Sequence, residues 1–263
     1  MTTTLAVANQ KGGVAKTTSV ASLGAALAEL GHRVLLVDLD PQACLTFSLG
    51  IDPEDLELSV HQVLTGGLAP DEVVLGTEDG VDLMPATIDL ARAEAELLTR
   101  TGREQALKVA LADLRTPYDW VLLDCPPSLG VLTVAGLTAA DGVLVPLQCE
   151  TLSHRGVGQL LDTVHDVRRF TNRGLEVWGV LPTLYDGRTT HARTVLETIS
   201  QTYDLEVVGP PIPKTIKFAE APAAGRSILA TSRTSKGAQA YRAVAEGLVA
   251  RAGRTPRAAA GRS

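Results

Sequence analysis

No apolar run in the 263 residues approaches the ~20 that a membrane-spanning helix needs. The N-terminus, MTTTLAVANQ, lacks the basic flank and cleavage site of a secretory signal. Cysteine is scarce. Cys44, Cys125 and Cys149 stand far apart without C-x-x-C spacing, which argues against zinc or an iron–sulfur cluster. They suit a reducing cytoplasm with mostly buried thiols. The five histidines show no metal-ligand spacing and read as surface or packing residues. There is no G-x-G-x-x-G for a nicotinamide dehydrogenase and no G-x-S-x-G for a serine hydrolase.

What remains suits one large α/β unit with a full core, hydrophobic residues making up 45% of the chain. Leu5–Ala8 is a short apolar run that leads into glycines. Residues 16–30 carry an apolar stripe, Val20, Leu23, Leu27 and Leu30, and then Gly31, the pattern of a helix with its stop. Continuous Val/Leu runs at 33–40, 81–86, 119–127, 141–147 and 175–185 predict strands buried on both faces, with 207–213 as a further one. Helical patterns lie at about 87–99, 103–114, 130–139, 154–171, 190–202 and 234–251. This alternation predicts a doubly wound, mostly parallel sheet with helices on both faces. Residues 1–252 read as a single domain. Residues 253–263, small, basic and Pro/Gly-punctuated, read as a disordered tail with no bulky apolar side for a membrane.

The net charge of −6 argues against a nucleic-acid partner, but its distribution does not. Residues 1–184 hold 12 Lys/Arg against 24 Asp/Glu, a balance of −12, and residues 185–263 hold 12 against 6, a balance of +6. An acidic body with a basic last third can turn a basic face to a polyanion.

The stretch NQKGGVAKTT, Asn9 to Thr18, joins the first strand to the first helix. It departs from G-x-x-x-x-G-K-[ST], with Gln10 and Ala15 where glycines are expected and an extra lysine, Lys11, in front. Unpaired N–H groups and the helix dipole favour an anion there. Gly12 and Gly13 let the backbone curl around phosphate, Lys16 can reach the β- and γ-phosphates, and Thr17 can ligate Mg²⁺. Asp124, ending the strand WVLLD, takes the Walker B position, holding Mg²⁺ through water. DLDPQ, Asp38 to Gln42, brings further acids to the same sheet edge.

NQKGGVAKTT, DLDPQ, LLDCPPSLG, PLQCE, YDGRT and IPKTIKFAEAPAAG together resemble the ParA family of partition ATPases, Soj-like members of the deviant Walker A P-loop ATPases, over about residues 4–250. The resemblance implies an ATP sandwich dimer. In it Lys11 reaches the partner's phosphates, Lys16 acts in its own loop, Thr17 binds Mg²⁺, and Asp124 is the Walker B acid. Asp40 orients the attacking water, Asp38 supports the metal shell, and Gly12 lies beside the dimer contact. Nucleotide contacts extend over Lys11, Gly12, Gly13, Val14, Ala15, Lys16, Thr17 and Thr18, with Pro213 and the segment near Thr183 at the adenine. The same resemblance implies slow, partner-stimulated ATP hydrolysis, nonspecific DNA binding and a ParB-type partner in chromosome or plasmid partition. It places the protein in the cytoplasm, on the nucleoid in the ATP state. Arg188 and Lys217 match the family's DNA-contacting positions, with Lys214, Arg233, Lys236 and Arg242 as further candidates. The first strand starts at about residue 4, so no N-terminal helix-turn-helix is expected.

Three positions depart from the family pattern. Ala15 replaces a glycine, at little cost if its φ is negative; TLSHRG (151–156) replaces two aromatics and a glutamate; and Ala219 replaces a serine. The alternatives are a MinD-like or cluster-positioning ATPase of the same superfamily, an iron–sulfur reductase component, and a DNA scaffold indifferent to nucleotide.

Overall fold

In the computed structural model, which describes residues 2–150 and 153–253, seven strands form one sheet in the order β3-β4-β2-β5-β1-β6-β7. They are β1 (Thr3–Val7), β2 (Val34–Asp38), β3 (Leu75–Gly76), β4 (Asp82–Met84), β5 (Trp120–Asp124), β6 (Gly142–Gln148) and β7 (Glu176–Thr183). All pairings are parallel except β3 with β4. The tail predicted to be disordered lies, from residue 254 on, outside the described residues, as do Thr151 and Leu152 of the TLSHRG departure.

The strands alternate between two apolar cores. Ala6, Val37, Leu123 and Val145 enter one, and Leu5, Leu36, Leu122 and Leu144 the other. Burial on both faces requires helices on both sides. One side carries α1 (Lys16–Glu29), α2 (Cys44–Ser48), α10 (Ile228–Thr231) and α11 (Lys236–Ala252), with Phe218 of α9 (Lys217–Ala223) packed against the same core. The other carries α3 (Val60–Leu64), α4 (Leu90–Leu98), α5 (Ala106–Ala112), α6 (Val131–Ala139), α7 (Ser153–Phe170) and α8 (Thr190–Tyr203).

The seven helices expected from periodicity, α1, α4, α5, α6, α7, α8 and α11, form where it places them, whereas the short α2, α3, α9 and α10 had no signal of that kind. Gly31 stops α1 at φ +87, but Leu30, expected on the apolar stripe, is 45% exposed at the C-cap. The segment 207–213 does not form an eighth strand. It touches β7 through one isolated bridge, Val180 with Val207, and the residues just beyond β7 through a second, Tyr185 with Pro213. Pro210, Pro211 and Pro213 have no N–H to donate, so the ladder cannot run. The two-residue β3 has no sequence signal of its own. The expectation of mostly buried thiols holds for Cys125 and Cys149, while Cys44 is exposed at the start of α2.

Candidate nucleotide-binding site

Residues 8–15 leave the carboxyl end of β1, which lies between β5 and β6, and enter α1. Strand order switches direction here, the place where open α/β sheets bind ligands. Asn9 anchors the loop's start, its Nδ2 donating to the Pro146 carbonyl (2.8 Å) and its Oδ1 accepting from the Lys11 amide (3.0 Å). Thr183, ending β7, donates its hydroxyl to the Val14 carbonyl (2.9 Å). A Cβ at Gly12 or Gly13 would meet nothing within 4 Å among the described residues, which leave the cradle open. No side chain caps α1, which leaves its first-turn N–H groups for a phosphate.

Gly13 sits at φ +73, and Ala15 also adopts the left-handed region, at φ 62 and ψ 37. The proviso of a negative φ is therefore not met: an L-residue there costs about 1–2 kcal/mol. Ala15→Gly should relieve this strain. After glycine's extra unfolded-state entropy, a gain of about 1 kcal/mol is expected, a rise of about 2–4 °C in Tm for a chain of this size. Thermal unfolding checks it, and an unchanged or lower Tm would show that the loop carries no strain at this position.

Lys16 is 8% exposed and donates to the Lys11 carbonyl (3.2 Å). Burial lowers its pKa, opposed by the nearby Asp124, Cys125 and Asp40. Asp38 and Asp124 are register partners on β2 and β5, and both are buried. Desolvation, and then the neighbouring carboxylates, push both pKa values up. The two acids differ in satisfaction. Asp38 accepts from the Asp40 amide (3.1 Å), the Thr46 amide (2.9 Å) and the Thr46 hydroxyl (2.8 Å). Asp124 finds no hydrogen-bond partner for either oxygen among the described residues. The Thr17 hydroxyl lowers the Asp124 pKa in part without reaching hydrogen-bond geometry. Asp40, past the end of β2, is half-buried, and its Oδ1 accepts from the Gln42 amide (3.0 Å).

A buried carboxylate with orphaned oxygens beside a threonine hydroxyl and a lysine fits a cation-bearing phosphate ligand. Among the described residues no three His, Cys, Asp or Glu side chains cluster to hold a metal alone. Magnesium at this site would therefore draw on phosphate and water oxygens, with Thr17 and, through water, Asp124 as the residues that would hold it. When bound, it would neutralise charge on the transferred phosphoryl group.

Lys11 points elsewhere. Its ammonium pairs with Glu150, just past β6, at 2.5 Å. Pro213 meets Tyr185, two residues beyond the Thr183 that holds the loop. The basic candidates are spread over several elements. Arg188 forms a two-pronged pair with Asp186 (2.9 and 2.8 Å), and Lys217 pairs with Glu220 (2.8 Å). Arg242 pairs with Glu29 (2.5 Å), which Arg233 also approaches at 3.9 Å. Lys214 and Lys236 are exposed. Asn9, Thr46 and Glu150 had no role from sequence. Asn9 and Glu150 stand within the quoted motifs, while nothing in the sequence marks Thr46.

Residues 2–177 match a sequence family described as an AAA domain. The chromosome-partitioning ATPase Soj of Thermus thermophilus is 46% identical over 247 residues, 94% of this chain and 95% of that protein. The chromosome partitioning protein ParA of Caulobacter vibrioides is 41% identical over 250 residues, covering 94% of each. The chain is a ParA-family P-loop ATPase. Among solved structures, a Mycobacterium smegmatis protein named cobyrinic acid a,c-diamide synthase, with ADP and magnesium, is 58% identical. It superposes with a TM-score of 0.87 over 97% of this chain and 96% of that one. A second structure of that protein holds an ATP analogue and magnesium. ATP and Mg²⁺ are thus the ligands that this ParA-family loop fits.

Proposed function

We propose that this ATPase works as a partition-type switch, carried by residues 1–252 as one domain. Two ATP-bound copies close face to face, Lys11 of each reaching the other's phosphates, and the dimer binds nonspecific DNA until a ParB-type partner stimulates a slow, magnesium-dependent hydrolysis. It acts in the cytoplasm, on the nucleoid in the ATP state. One observation carries this reading: the two loop lysines are divided. Lys16 is buried over its own loop, while Lys11 is turned out to Glu150. A lysine that does not serve its own cradle is available to a neighbour's, where it neutralises phosphate as a point charge. Gly12 agrees with this, since nothing among the described residues would obstruct a side chain there, and a second copy would supply the demand for glycine.

Within one subunit, Lys16 would bind the β- and γ-phosphates, the first-turn amides of α1 would hold the anion, and Asp40 would orient water. Among the described residues no helix is long and apolar enough to cross a membrane, and DLDPQ favours ParA over the MinD-like alternative. The M. smegmatis protein carries the name of a diamide synthase. What this chain offers instead is the pair of divided loop lysines together with DLDPQ. The site favours the partition-type reading.

DNA binding is the testable consequence. Arg188 is 90% exposed and Lys217 about half exposed, each beside an acidic neighbour, and such solvated pairs yield readily to phosphate. Dimerisation doubles the phosphate contacts, each adding ~0.9 to the salt slope of log K. Anisotropy on random-sequence duplex should therefore show tight binding with ATP alone, steep salt weakening and little sequence preference. Replacing Arg188 and Lys217 together by Glu should abolish it and leave dimerisation and basal hydrolysis intact. Equal affinity with ATP, with ADP and without nucleotide would instead identify a passive scaffold.

A further inference from the structure

We propose that Glu150 is a positioning residue that holds Lys11 within its own chain and gives it up as a second ATP-bound copy closes. This rests on the in-trans role of Lys11 proposed above. The argument comes from how Lys11 is tethered. Its amide donates to Asn9 Oδ1 at 3.0 Å, its carbonyl accepts from Lys16 Nζ at 3.2 Å, and its ammonium meets Glu150 Oε2 at 2.5 Å. Asn9 and Glu150 both hang from the end of β6, through the Pro146 carbonyl and through the Glu150 amide's bond to the Gln148 carbonyl (2.8 Å). The first turn of α7 backs onto this assembly. A Cβ at Gly156 would lie 3.1 Å from Asn9 Oδ1 and 3.8 Å from Lys11 Cβ.

Nucleotide acts on one tether directly. Phosphate competes for the Lys16 ammonium, so the Lys11 carbonyl loses its donor as ATP binds. The Glu150 pair then remains as the electrostatic restraint on the Lys11 side chain. It is strong enough to bias the lysine and weak enough to open, since the two side chains are 31% and 53% exposed. Pairs in that regime shift an equilibrium roughly 1.4- to 5-fold. Two open per symmetric dimer, so their removal should change the dimer dissociation constant roughly 2- to 30-fold.

The test uses the full chain with ATP and Mg²⁺, its dimer dissociation constant followed by sedimentation at several salt concentrations. Glu150→Gln keeps the shape and loses the charge. It should tighten the dimer by that factor. Its dimer should also weaken more steeply with salt than the wild type's, because salt no longer helps to open a latch. Glu150→Asp, which restores the charge, should return most of the wild-type behaviour. In a Lys11→Ala background, Glu150→Gln should change nothing. An unchanged dissociation constant in Glu150→Gln would overturn the latch. A weaker dimer would also overturn it, since it would mean that Glu150 orients Lys11 in the closed state instead. Tightening that persists without Lys11 would do the same. A wild-type protein that stays monomeric with saturating ATP would remove the proposed function and this inference with it, whereas a wild-type dimer indifferent to Glu150 removes the inference alone.

Discussion

Lys11→Ala should slow ATP hydrolysis by about 10²–10⁴ while ATP affinity changes by a few-fold at most. The fold-change follows from the role. A cation supplied in trans to a transferring phosphoryl group is worth about 10³–10⁵ when it is an arginine, and a lysine offers the charge without the two-pronged geometry. Affinity survives because Lys16, the α1 amides and the open glycine cradle belong to the same chain as the nucleotide. Lys16→Ala should behave differently and lose tight binding as well. Binding by fluorescent-nucleotide titration and hydrolysis by single turnover separate the two variants. Parallel loss of binding and rate in Lys11→Ala would place that lysine in its own subunit's cradle.

Asp40→Ala should lose about 10²–10⁴ in hydrolysis, some 3–5 kcal/mol of barrier, and accumulate an ATP-bound dimer. Among the described residues its carboxylate accepts a local turn bond from the Gln42 amide, and it is half-buried beside Lys16 and Asp124, which leaves it room to hold a water. Asp38 offers the contrast. Its carboxylate accepts three bonds, two of them from Thr46, so it fastens α2 to the sheet. Removing it would leave buried donors unpaired and cost stability before it reported on catalysis. An Asp40→Ala protein that hydrolyses ATP at the wild-type rate would assign the water to another group.

Much of this site was legible because its residues are tied to sheet edges. A Val/Leu run ending in Asp gives both the strand and the carboxylate at its end, as at Asp38 and Asp124. Glycines, lysine and threonines between a strand and a helix give the loop. Backbone strain was not legible. Ala15, Ala43 and Leu184 all adopt positive φ, and all three flank the nucleotide site: Ala15 in the loop, Ala43 after Asp40, Leu184 after Thr183. No residue type announces such positions, because only the surrounding fold can hold a non-glycine there. The Lys11–Glu150 pair spans 139 residues, and the sequence offers no distance rule for a contact between two loops. The proline-broken segment 207–213 looked like a strand by hydropathy, and its missing donors decided otherwise.

The central claim is that each subunit's nucleotide is completed by the other subunit's Lys11, and mixing two inactive variants tests it most directly. Lys11→Ala keeps Asp40 beside its own nucleotide, and Asp40→Ala keeps a working Lys11. A mixed dimer then holds one complete site: the nucleotide of the Lys11→Ala subunit, its own Asp40, and the partner's lysine. The variants are combined as monomers before ATP and Mg²⁺ are added. Half of the dimers are then mixed and one of two sites in each is complete, so hydrolysis should recover to roughly a quarter of the wild-type rate. A mixture no more active than the two variants measured apart would contradict the account and place Lys11 in its own subunit's site.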